Sequence, residues 1–229
     1  VPLDILYEDK DLLVINKPKD MVVHPSAGHF SGTLVNAVMY HCKDSLSGIN
    51  GAIRPGIVHR IDKDTTGSLI ICKNDESHLF IAEQIKEHSI KRIYRGIVSG
   101  YVKEQKGCIK GNIGRHPTDR KKMAVLSNGG KHAITHYKVL EQWKNAAYME
   151  FCLETGRTHQ IRVHMKYIGY PLAGDPQYGP RKTISSEWGQ FLHAAVLGFD
   201  HPKTGQYLEF SAELPSYFEE ALESLEKLG

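Results

Sequence analysis

The chain has 229 residues, of which 41% are hydrophobic and 24% are charged. This is the composition of an ordinary globular protein with a sizeable core, and it excludes wholesale disorder. The net charge is only +3 with 13 histidines, so a nucleic-acid partner would need the basic residues concentrated on one face. No apolar run approaches the roughly 20 residues that span a bilayer, and no signal peptide is recognisable. We therefore expect a cytoplasmic protein without a membrane segment.

The first part of the chain alternates strands with single helices. We predict strands over residues 4–7, 12–16 and 68–73, and a β-rich stretch over 91–102. A helix is predicted from a cap at Ser31 to about Cys42, and a second helix over residues 75–88. A Pro- and Gly-containing loop over residues 17–29 follows the second strand, and a Gly-rich loop over 43–56 follows the first helix.

The second part begins with an irregular segment. Between residues 106 and 130 the pattern breaks down into Gly, Pro and basic residues. Beyond it we predict four strands, at residues 131–139, 147–154, 193–199 and 207–211. A helix is predicted from a cap at Thr158 through Ile168, and another over residues 217–228. Strands mostly follow strands, so the sequence favours an α+β fold: a mainly antiparallel central sheet with flanking helices and loops.

The four cysteines show no C-x-x-C spacing, and two of them, Cys72 and Cys152, lie in apolar runs. We therefore expect buried free thiols in a reducing compartment for all four. They are Cys42, Cys72, Cys108 and Cys152.

The segment HRIDKDTTG at residues 59–67 is dense in functional side chains. It lies between a short apolar strand and the strand predicted over residues 68–73, so it should form a loop at the sheet edge. Loops held by rigid strands commonly carry catalytic groups. Composition alone also allows a solvated turn, and both interpretations stay open.

Arg162 occupies an unusual position in the helix predicted after Thr158. Ile161, Met165 and Ile168 form the apolar stripe of that helix, and Arg162 lies at its margin. An arginine near the positive end of a helix is poorly placed for the helix dipole, so it needs a specific anion. A carboxylate or a phosphate would serve, and the alternative is an arginine that reaches solvent.

Metal and nucleotide motifs are absent from the sequence. His159 and His164 are five residues apart, which places them about 140° from each other around a helix. A zinc site with His59 is therefore disfavoured. There is no Gly-x-Ser-x-Gly elbow, no Gly-x-Gly-x-x-Gly and no P-loop, so we expect neither a metal nor a cofactor.

Basic residues concentrate in two places. Lys91, Arg92 and Arg95 lie on or beside a predicted strand. A second group populates the irregular segment, where long loops are usually functional or disordered. We expect these residues to contact phosphates, with a solvated face as the alternative. The second group consists of Lys110, Arg115, His116, Arg120, Lys121, Lys122 and Lys131.

Three motifs in chain order resemble those of the RluA-type pseudouridine synthases. Residues 59–73 are similar to the signature loop of that family, residues 91–100 to its second motif, and residues 155–164 to its third. The likeness begins near Pro2 and includes residues 174–179. The resemblance implies a pseudouridine synthase fold and an enzyme that isomerises uridine to pseudouridine in RNA, without a cofactor.

Within the family, residues 114–125 are similar to the RluD-like subgroup, which modifies large-subunit ribosomal RNA. Members of that subgroup usually carry a small RNA-binding module before the catalytic domain. The chain begins at Val1 rather than Met, and we expect residues 1–229 to be one catalytic domain from which that module is missing. RNA is the implied partner, no membrane is implied, and we expect a monomer.

The resemblance also implies roles for individual residues. Asp62 matches the catalytic aspartate of the family, Tyr94 its active-site tyrosine, and Arg162 the arginine that pairs with the aspartate. Arg60 matches the residue that enters the RNA stack when the target base leaves it. The remaining expected RNA contacts are His59, Arg115, His116, Arg120, Lys121, Lys122, Arg157 and His159.

The chemistry leaves several alternatives open. Asp62 could act as nucleophile or as electrostatic stabiliser of a ribosyl cation, whereas Asp64 is better interpreted as a turn or solvated carboxylate. Tyr94 could stack on uracil, and it could also accept the proton lost from carbon five. Two rival functions are an RNA-binding protein without chemistry and a metal-independent ribonuclease built on His59, His159 and His164.

Overall fold

A computed structural model of the chain describes residues 2–24, 31–43, 45–51, 55–180 and 188–228. The chain divides into two compact units. The first comprises Val1–Arg92 and Ala194–Glu213, and the second comprises Ile93–His193 and Leu214–Gly229. Each unit has hydrophobic clusters of its own.

The described residues form eleven strands and four helices. The strands are β1 (Ile5–Glu8), β2 (Leu12–Lys17), β3 (Thr66–Cys72), β4 (Lys91–Ser99), β5 (Lys106–Lys110), β6 (Ile113–Arg115), β7 (Met123–Val125), β8 (Ile134–Gln142), β9 (Ala146–Leu153), β10 (Leu192–Asp200) and β11 (Tyr207–Ser211). The helices are α1 (Leu34–Cys42), α2 (Asp75–Lys86), α3 (Gln160–Tyr167) and α4 (Ser216–Leu228). None of the helices in the described ranges has the length and apolar character that crossing a membrane requires.

The strand pairings are mainly antiparallel. In the first unit β1 pairs with β2, β2 with β3, and β10 with β11 in this way. In the second unit the antiparallel pairs are β4–β9, β8–β9, β5–β8 and β6–β7. The predicted α+β class with a mainly antiparallel sheet is confirmed.

Two strands form the rigid part of the first unit. All seven residues of β3 are buried, and its Ile70 lies opposite Val14 of β2. Ile81 of α2 and Phe199 of β10 belong to the same hydrophobic cluster. Because the side chains on these strands are covered by other elements, the loops that leave β2 and enter β3 start from fixed points.

The second unit is built around β9, which lies between β4 and β8. Phe151 of β9 packs in one hydrophobic cluster with Ile161 and Met165 of α3. A second cluster contains the buried face of α4, with Phe218 and Ala221. The predicted apolar stripe of α3 is confirmed, and this packing fixes where the polar residues of α3 point.

Two predicted helix caps are wrong. Thr33, not Ser31, caps α1 through a reciprocal capping box with Asn36. The cap residue of α3 is His159 rather than Thr158, in a left-handed conformation with φ of 57° and without a side-chain cap bond. Capping depends on where the backbone turns, and a Ser or Thr one or two residues away gives the same sequence signal.

The segment predicted as irregular between residues 106 and 130 is also more regular than expected. It contains β5, β6 and β7, which are only three to five residues long. Strands this short carry too few alternations to be recognised. The predicted burial of the cysteines is wrong in part: all four are free, but Cys108 and Cys152 are exposed and only Cys72 is fully buried. Cys152 lies between the buried Phe151 and Leu153 of β9, so its side chain takes the outer face.

Candidate active site

The loop over residues 59–67 runs into β3, as predicted. Gly67 has a φ of 114°, and a Cβ there would lie 2.6 Å from the backbone nitrogen of Ala194. The hydroxyl of Ser68 donates a hydrogen bond to the carbonyl of Ala194 at 2.9 Å. Only glycine permits this approach, so the end of the loop is fixed against β10.

Lys17, the last residue of β2, is fully buried beneath this loop. Its ammonium donates hydrogen bonds at 2.8 Å to three carbonyl oxygens, those of Pro18, Met21 and Lys63. Lys63 directly follows Asp62 in the chain. The Lys17 ammonium therefore fixes the backbone beside the candidate catalytic carboxylate.

Two opposing effects act on the pKa of Lys17: burial lowers it and nearby carboxylates raise it. Burial lowers the pKa of Lys17 to about 7, and Asp64, Asp62 and Asp20 oppose that shift. A neutral amine has two N–H groups and an ammonium has three. Since three carbonyls accept from Nζ, the charged form is the one that satisfies the geometry. The result is a buried positive charge close to Asp62 and Asp64.

The predicted site residues of the loop differ in exposure. Arg60 is exposed, whereas Asp62 and Asp64 are half-buried. The N–H of Thr65 donates to the carbonyl of Asp62 at 3.1 Å, which closes a tight turn immediately after the aspartate. Asp62 is thus held by its own backbone while its side chain retains partial exposure.

His59 serves the loop as a neutral acceptor. Its Nε2 accepts a hydrogen bond from the N–H of Ile70 at 2.9 Å. Burial, with a smaller contribution from the Arg92 guanidinium, lowers the pKa of His59 to about 3. A protonated imidazole could not accept this bond. His59 therefore ties the start of the loop to β3, and its predicted RNA contact stays a prediction.

Tyr94 lies on β4 in the second unit, opposite Phe151 of β9. It is half-buried and packs against the cluster that contains Phe151. The following residue, Arg95, forms an ion pair with Glu150 at 2.8 Å. The tyrosine ring is thus backed by a rigid apolar surface while part of it remains exposed.

Arg162 forms an ion pair with the carboxylate of Asp175. Its Nε donates to Oδ2 of Asp175 at 2.8 Å, and its Nη2 donates to Oδ1 at 2.9 Å. The Arg162 side chain is 4% exposed and that of Asp175 is 0% exposed. Nη2 also donates to Oε1 of Gln177 at 2.9 Å. The predicted need for a specific anion is confirmed, whereas the pairing of Arg162 with Asp62 stays a prediction.

A buried polar network holds α3 in place. Gln160 accepts from the hydroxyl of Thr155 and the N–H of Arg157, and donates to Oγ1 of Thr135. The hydroxyl of Thr135 in turn bonds Nδ1 of His164 at 2.8 Å. These bonds connect α3 to β8 through side chains that are all buried.

His164 extends the network to the start of the basic segment. Its Nε2 donates to the carbonyl of Gly111 at 2.9 Å, and burial lowers the pKa of His164. Arg157 makes a comparable structural contact, because its Nε donates to the carbonyl of His132 at 2.7 Å. Both residues therefore have structural hydrogen bonds, and the RNA contact of Arg157 stays a prediction.

The turn at residues 175–178 carries contacts to Arg162 that no sequence motif indicated. The ring of Tyr178 lies with its centroid 5.1 Å from the guanidinium carbon of Arg162. Its hydroxyl bonds Nδ1 of His159 at 2.6 Å and accepts from the N–H of Met123 at 2.8 Å. The only available signal was the family likeness of residues 174–179, which does not indicate what the residues contact.

The strands β6 and β7 and their connecting turn form a basic hairpin, residues 113–125. Arg115, Arg120 and Lys121 are exposed, and His116 and Lys122 are half-buried. Nδ1 of His116 accepts from the N–H groups of Thr118 and Asp119, so the turn is ordered by local bonds. The hairpin thus presents several positive charges on a defined backbone, as expected for phosphate contact.

One group of side chains in the described residues has metal-like spacing. The donor atoms of Asp9, Asp11 and His201 all lie within 4.8 Å of one another. However, Asp9 accepts hydrogen bonds from the Tyr7 hydroxyl, from Nε2 of His201 and from two backbone N–H groups. Protein donors therefore account for this carboxylate, and nothing further points to a metal.

The family is decided by comparison with known proteins. The family model for RNA pseudouridylate synthase matches residues 11–167, more than half of the chain. The chain belongs to the RNA pseudouridylate synthase family. It is therefore an isomerase that converts uridine to pseudouridine in RNA, as the resemblance predicted.

Individual relatives of this pseudouridylate synthase are similar over almost its whole length. It is 57% identical over 227 residues to the uncharacterized RNA pseudouridine synthase YlyB of Bacillus subtilis, with 99% of this chain and 74% of that protein covered. It is 51% identical over 223 residues to the ribosomal large subunit pseudouridine synthase D of Zymomonas mobilis, with 94% and 70% covered. The relatives that carry the name ribosomal large subunit pseudouridine synthase D confirm the predicted likeness to the RluD-like subgroup.

A solved structure has the same fold. The human RNA pseudouridylate synthase domain containing 4 protein superposes with a TM-score of 0.76, covering 97% of this chain and 93% of that one. The two sequences are 23% identical, so this likeness concerns the fold alone. The predicted pseudouridine synthase fold is confirmed.

Proposed function

We propose that this pseudouridine synthase acts on large-subunit ribosomal RNA and that Asp62 is its catalytic carboxylate. The subgroup likeness of residues 114–125 and the relatives named for the large ribosomal subunit support the substrate. The observation that carries the assignment of Asp62 is the anchoring of Lys63 by the buried ammonium of Lys17.

The reaction breaks the bond between ribose and a ring nitrogen of uracil and joins ribose to carbon five. Carbon five loses its proton and the ring nitrogen gains one, so no oxidant or external group is consumed. The enzyme must detach the base, hold it while it turns, and remove that proton. A carboxylate that stays ionised can attack as a nucleophile or stabilise positive charge on ribose. The buried Lys17 ammonium lies near Asp62 and interacts with it electrostatically.

We assign the other roles by chemistry and placement. Tyr94, half-buried on a rigid strand, stacks on the uracil ring and accepts the proton from carbon five. Arg60, exposed on the loop, enters the RNA stack when the target base flips out. Arg162 is positioned by Asp175 and is proposed to pair with Asp62. The chain acts as a monomer in the cytoplasm.

The hydrogen bonds of two histidines to protein groups disfavour the ribonuclease alternative. His59 accepts from Ile70, and His164 has both ring nitrogens bonded to protein groups. An imidazole that acts as acid or base in chain cleavage must exchange a proton with the substrate. A binding protein without chemistry stays an outcome of the experiment.

The deciding experiment is tritium release from ribosomal RNA labelled at carbon five of uridine. Wild type is compared with Asp62→Ala and with Asp64→Ala, a second half-buried carboxylate of the same loop. We expect release by wild type and Asp64→Ala, and none by Asp62→Ala. Equal release by all three would keep the activity and refute the role of Asp62. RNA binding without release by the wild type would favour the binding-protein alternative, and shortened RNA would favour the ribonuclease.

A further inference from the structure

The basic hairpin is attached to the same turn that holds Arg162. We propose that Gln177 and Tyr178 are positioning residues that fix the basic hairpin for RNA, and that RNA affinity depends on them. This inference rests on the proposed function, because it assumes that the hairpin contacts the RNA substrate. Neither residue is assigned a direct contact with RNA.

Two hydrogen bonds attach the hairpin to the turn. The N–H of Met123, the first residue of β7, donates to the Tyr178 hydroxyl at 2.8 Å. Nε2 of Gln177 donates to the carbonyl of Lys121 at 3.2 Å. Both bonds reach backbone groups of the hairpin rather than its basic side chains. They therefore fix the path of the chain and leave the charged groups available.

The same two side chains contact Arg162 from the other side. Oε1 of Gln177 accepts from Nη2 of Arg162 at 2.9 Å, and the Tyr178 ring faces the guanidinium. Asp175 closes the turn by accepting from the N–H groups of residues 177 and 178. One compact turn thus sets the position of the guanidinium and of the hairpin backbone together.

The burial of Tyr178 favours a positioning role over a direct contact with RNA. Tyr178 is 4% exposed, so its hydroxyl has little access to an RNA phosphate. Tyr178 also belongs to a small apolar cluster with Ile113 and Val163, against which Met123 packs. That cluster keeps the hairpin attached when a hydrogen bond is lost. We therefore expect loss of the hydroxyl to loosen the hairpin without unfolding the chain.

The main variant is Tyr178→Phe, which keeps the ring over Arg162 and removes the hydroxyl with its bonds to Met123 and to Nδ1 of His159. Gln177→Met is a neutral variant of similar length that removes the bond to Lys121 and also the acceptor for Nη2 of Arg162. The matched control is Tyr148→Phe: Tyr148 is a half-buried tyrosine of the same unit whose ring packs on Phe218 in a different cluster. All three are measured in the full chain against wild type.

Three measurements on structured ribosomal RNA and free protein test the inference. Amide exchange at Met123 should quicken about tenfold in Tyr178→Phe, because its acceptor is gone. The Kd and KM for RNA should rise about five- to tenfold in both variants. In Tyr178→Phe, which keeps the ring over Arg162, kcat should stay within about twofold. The slope of log affinity against log salt should become shallower by about one unit, as phosphate contacts are lost.

The outcomes separate this inference from the proposed function. Wild-type exchange at Met123 in Tyr178→Phe would overturn the inference even if RNA affinity fell, since the hydroxyl would then act through His159. Wild-type RNA affinity would overturn it as well. A loss of kcat with unchanged KM would also overturn it, since the turn would then act only through Arg162. If wild type itself neither bound nor isomerised RNA, the proposed function would fail and the hairpin would have no RNA to position.

Discussion

Arg162 and Asp175 form a bidentate ion pair in which neither side chain is more than 4% exposed. Asp175 also accepts two backbone N–H groups from its own turn, so both of its carboxylate oxygens accept hydrogen bonds. The attraction within a buried pair offsets the loss of solvation only when the geometry is good. Removal of one partner leaves an uncompensated buried charge. The pair therefore supports the position of Arg162 more than it supports overall stability.

Asp175→Asn should destabilise the protein by about 3–5 kcal/mol, because the Arg162 guanidinium loses its charged partner in a buried position. The free energy of unfolding measured by urea denaturation provides the value. Glu150→Gln is the control: it breaks the more exposed Arg95–Glu150 pair and should cost only about 0–1 kcal/mol. Similar effects for the two variants would show that burial does not make the Arg162 pair special.

The need of Arg162 for an anion follows from its place at the margin of an apolar helix stripe, and the sequence predicts it. The identity of the anion does not follow, since Asp175 lies beyond α3 in a turn that has no periodic pattern. Lys17 is a similar case. A lysine that ends an apolar strand gives no sign that its ammonium meets three carbonyls, one of them 46 residues away. Such contacts arise from loop geometry, and local propensity does not encode them.

The strands were predictable where burial made their pattern plain. β2 and β3 are almost wholly buried and each contains a run of four apolar residues, and their predicted bounds are close to the observed ones. The short strands of the basic hairpin were missed because Arg115, Met123 and Ala124 show no alternation. The family resemblance indicated that these residues matter, but not that Tyr178 and Gln177 hold them.

Tyr94→Phe should separate two roles of the tyrosine. The ring and its packing against Phe151 remain, so the Kd for RNA should stay within about twofold of wild type. The hydroxyl that would accept the proton from carbon five is lost, so kcat should fall by about 10²-fold or more. Binding assays and tritium release measure the two quantities. Unchanged kcat would mean that another group removes the proton.

Tyr94→Leu supplies the complementary result. Loss of the aromatic face should weaken RNA binding by about 1–3 kcal/mol, the usual contribution of one stacked base. Tyr148→Phe and Tyr148→Leu control for nonspecific effects on the second unit, because Tyr148 contacts α4. Equal binding by Tyr94→Leu and wild type would remove the stacking role.

Gly67→Ala should destabilise the first unit by about 3 kcal/mol or more, from backbone strain and from overpacking together. The added Cβ would lie 2.6 Å from the Ala194 nitrogen, at a φ of 114°. Gly205→Ala is a matched control, since Gly205 has a φ of 70° and nothing within 4 Å of the added Cβ. It should cost about 1–2 kcal/mol. Thermal unfolding of both variants checks the difference, and equal shifts would contradict the crowding at Ala194.

Because of His59, the free energy of unfolding should decrease in mild acid. Its pKa is lowered from 6.5 to about 3 in the folded chain, so the unfolded chain binds more protons between those values. The free energy of unfolding should therefore be greatest above pH 6.5 and decrease as the pH falls below it.

His59→Gln keeps an acceptor for the Ile70 N–H but does not titrate. Relative to that variant, wild type should lose about 1 kcal/mol between pH 7.5 and 5.5, measured by urea denaturation. A His59→Gln profile parallel to wild type would refute the neutral imidazole at residue 59.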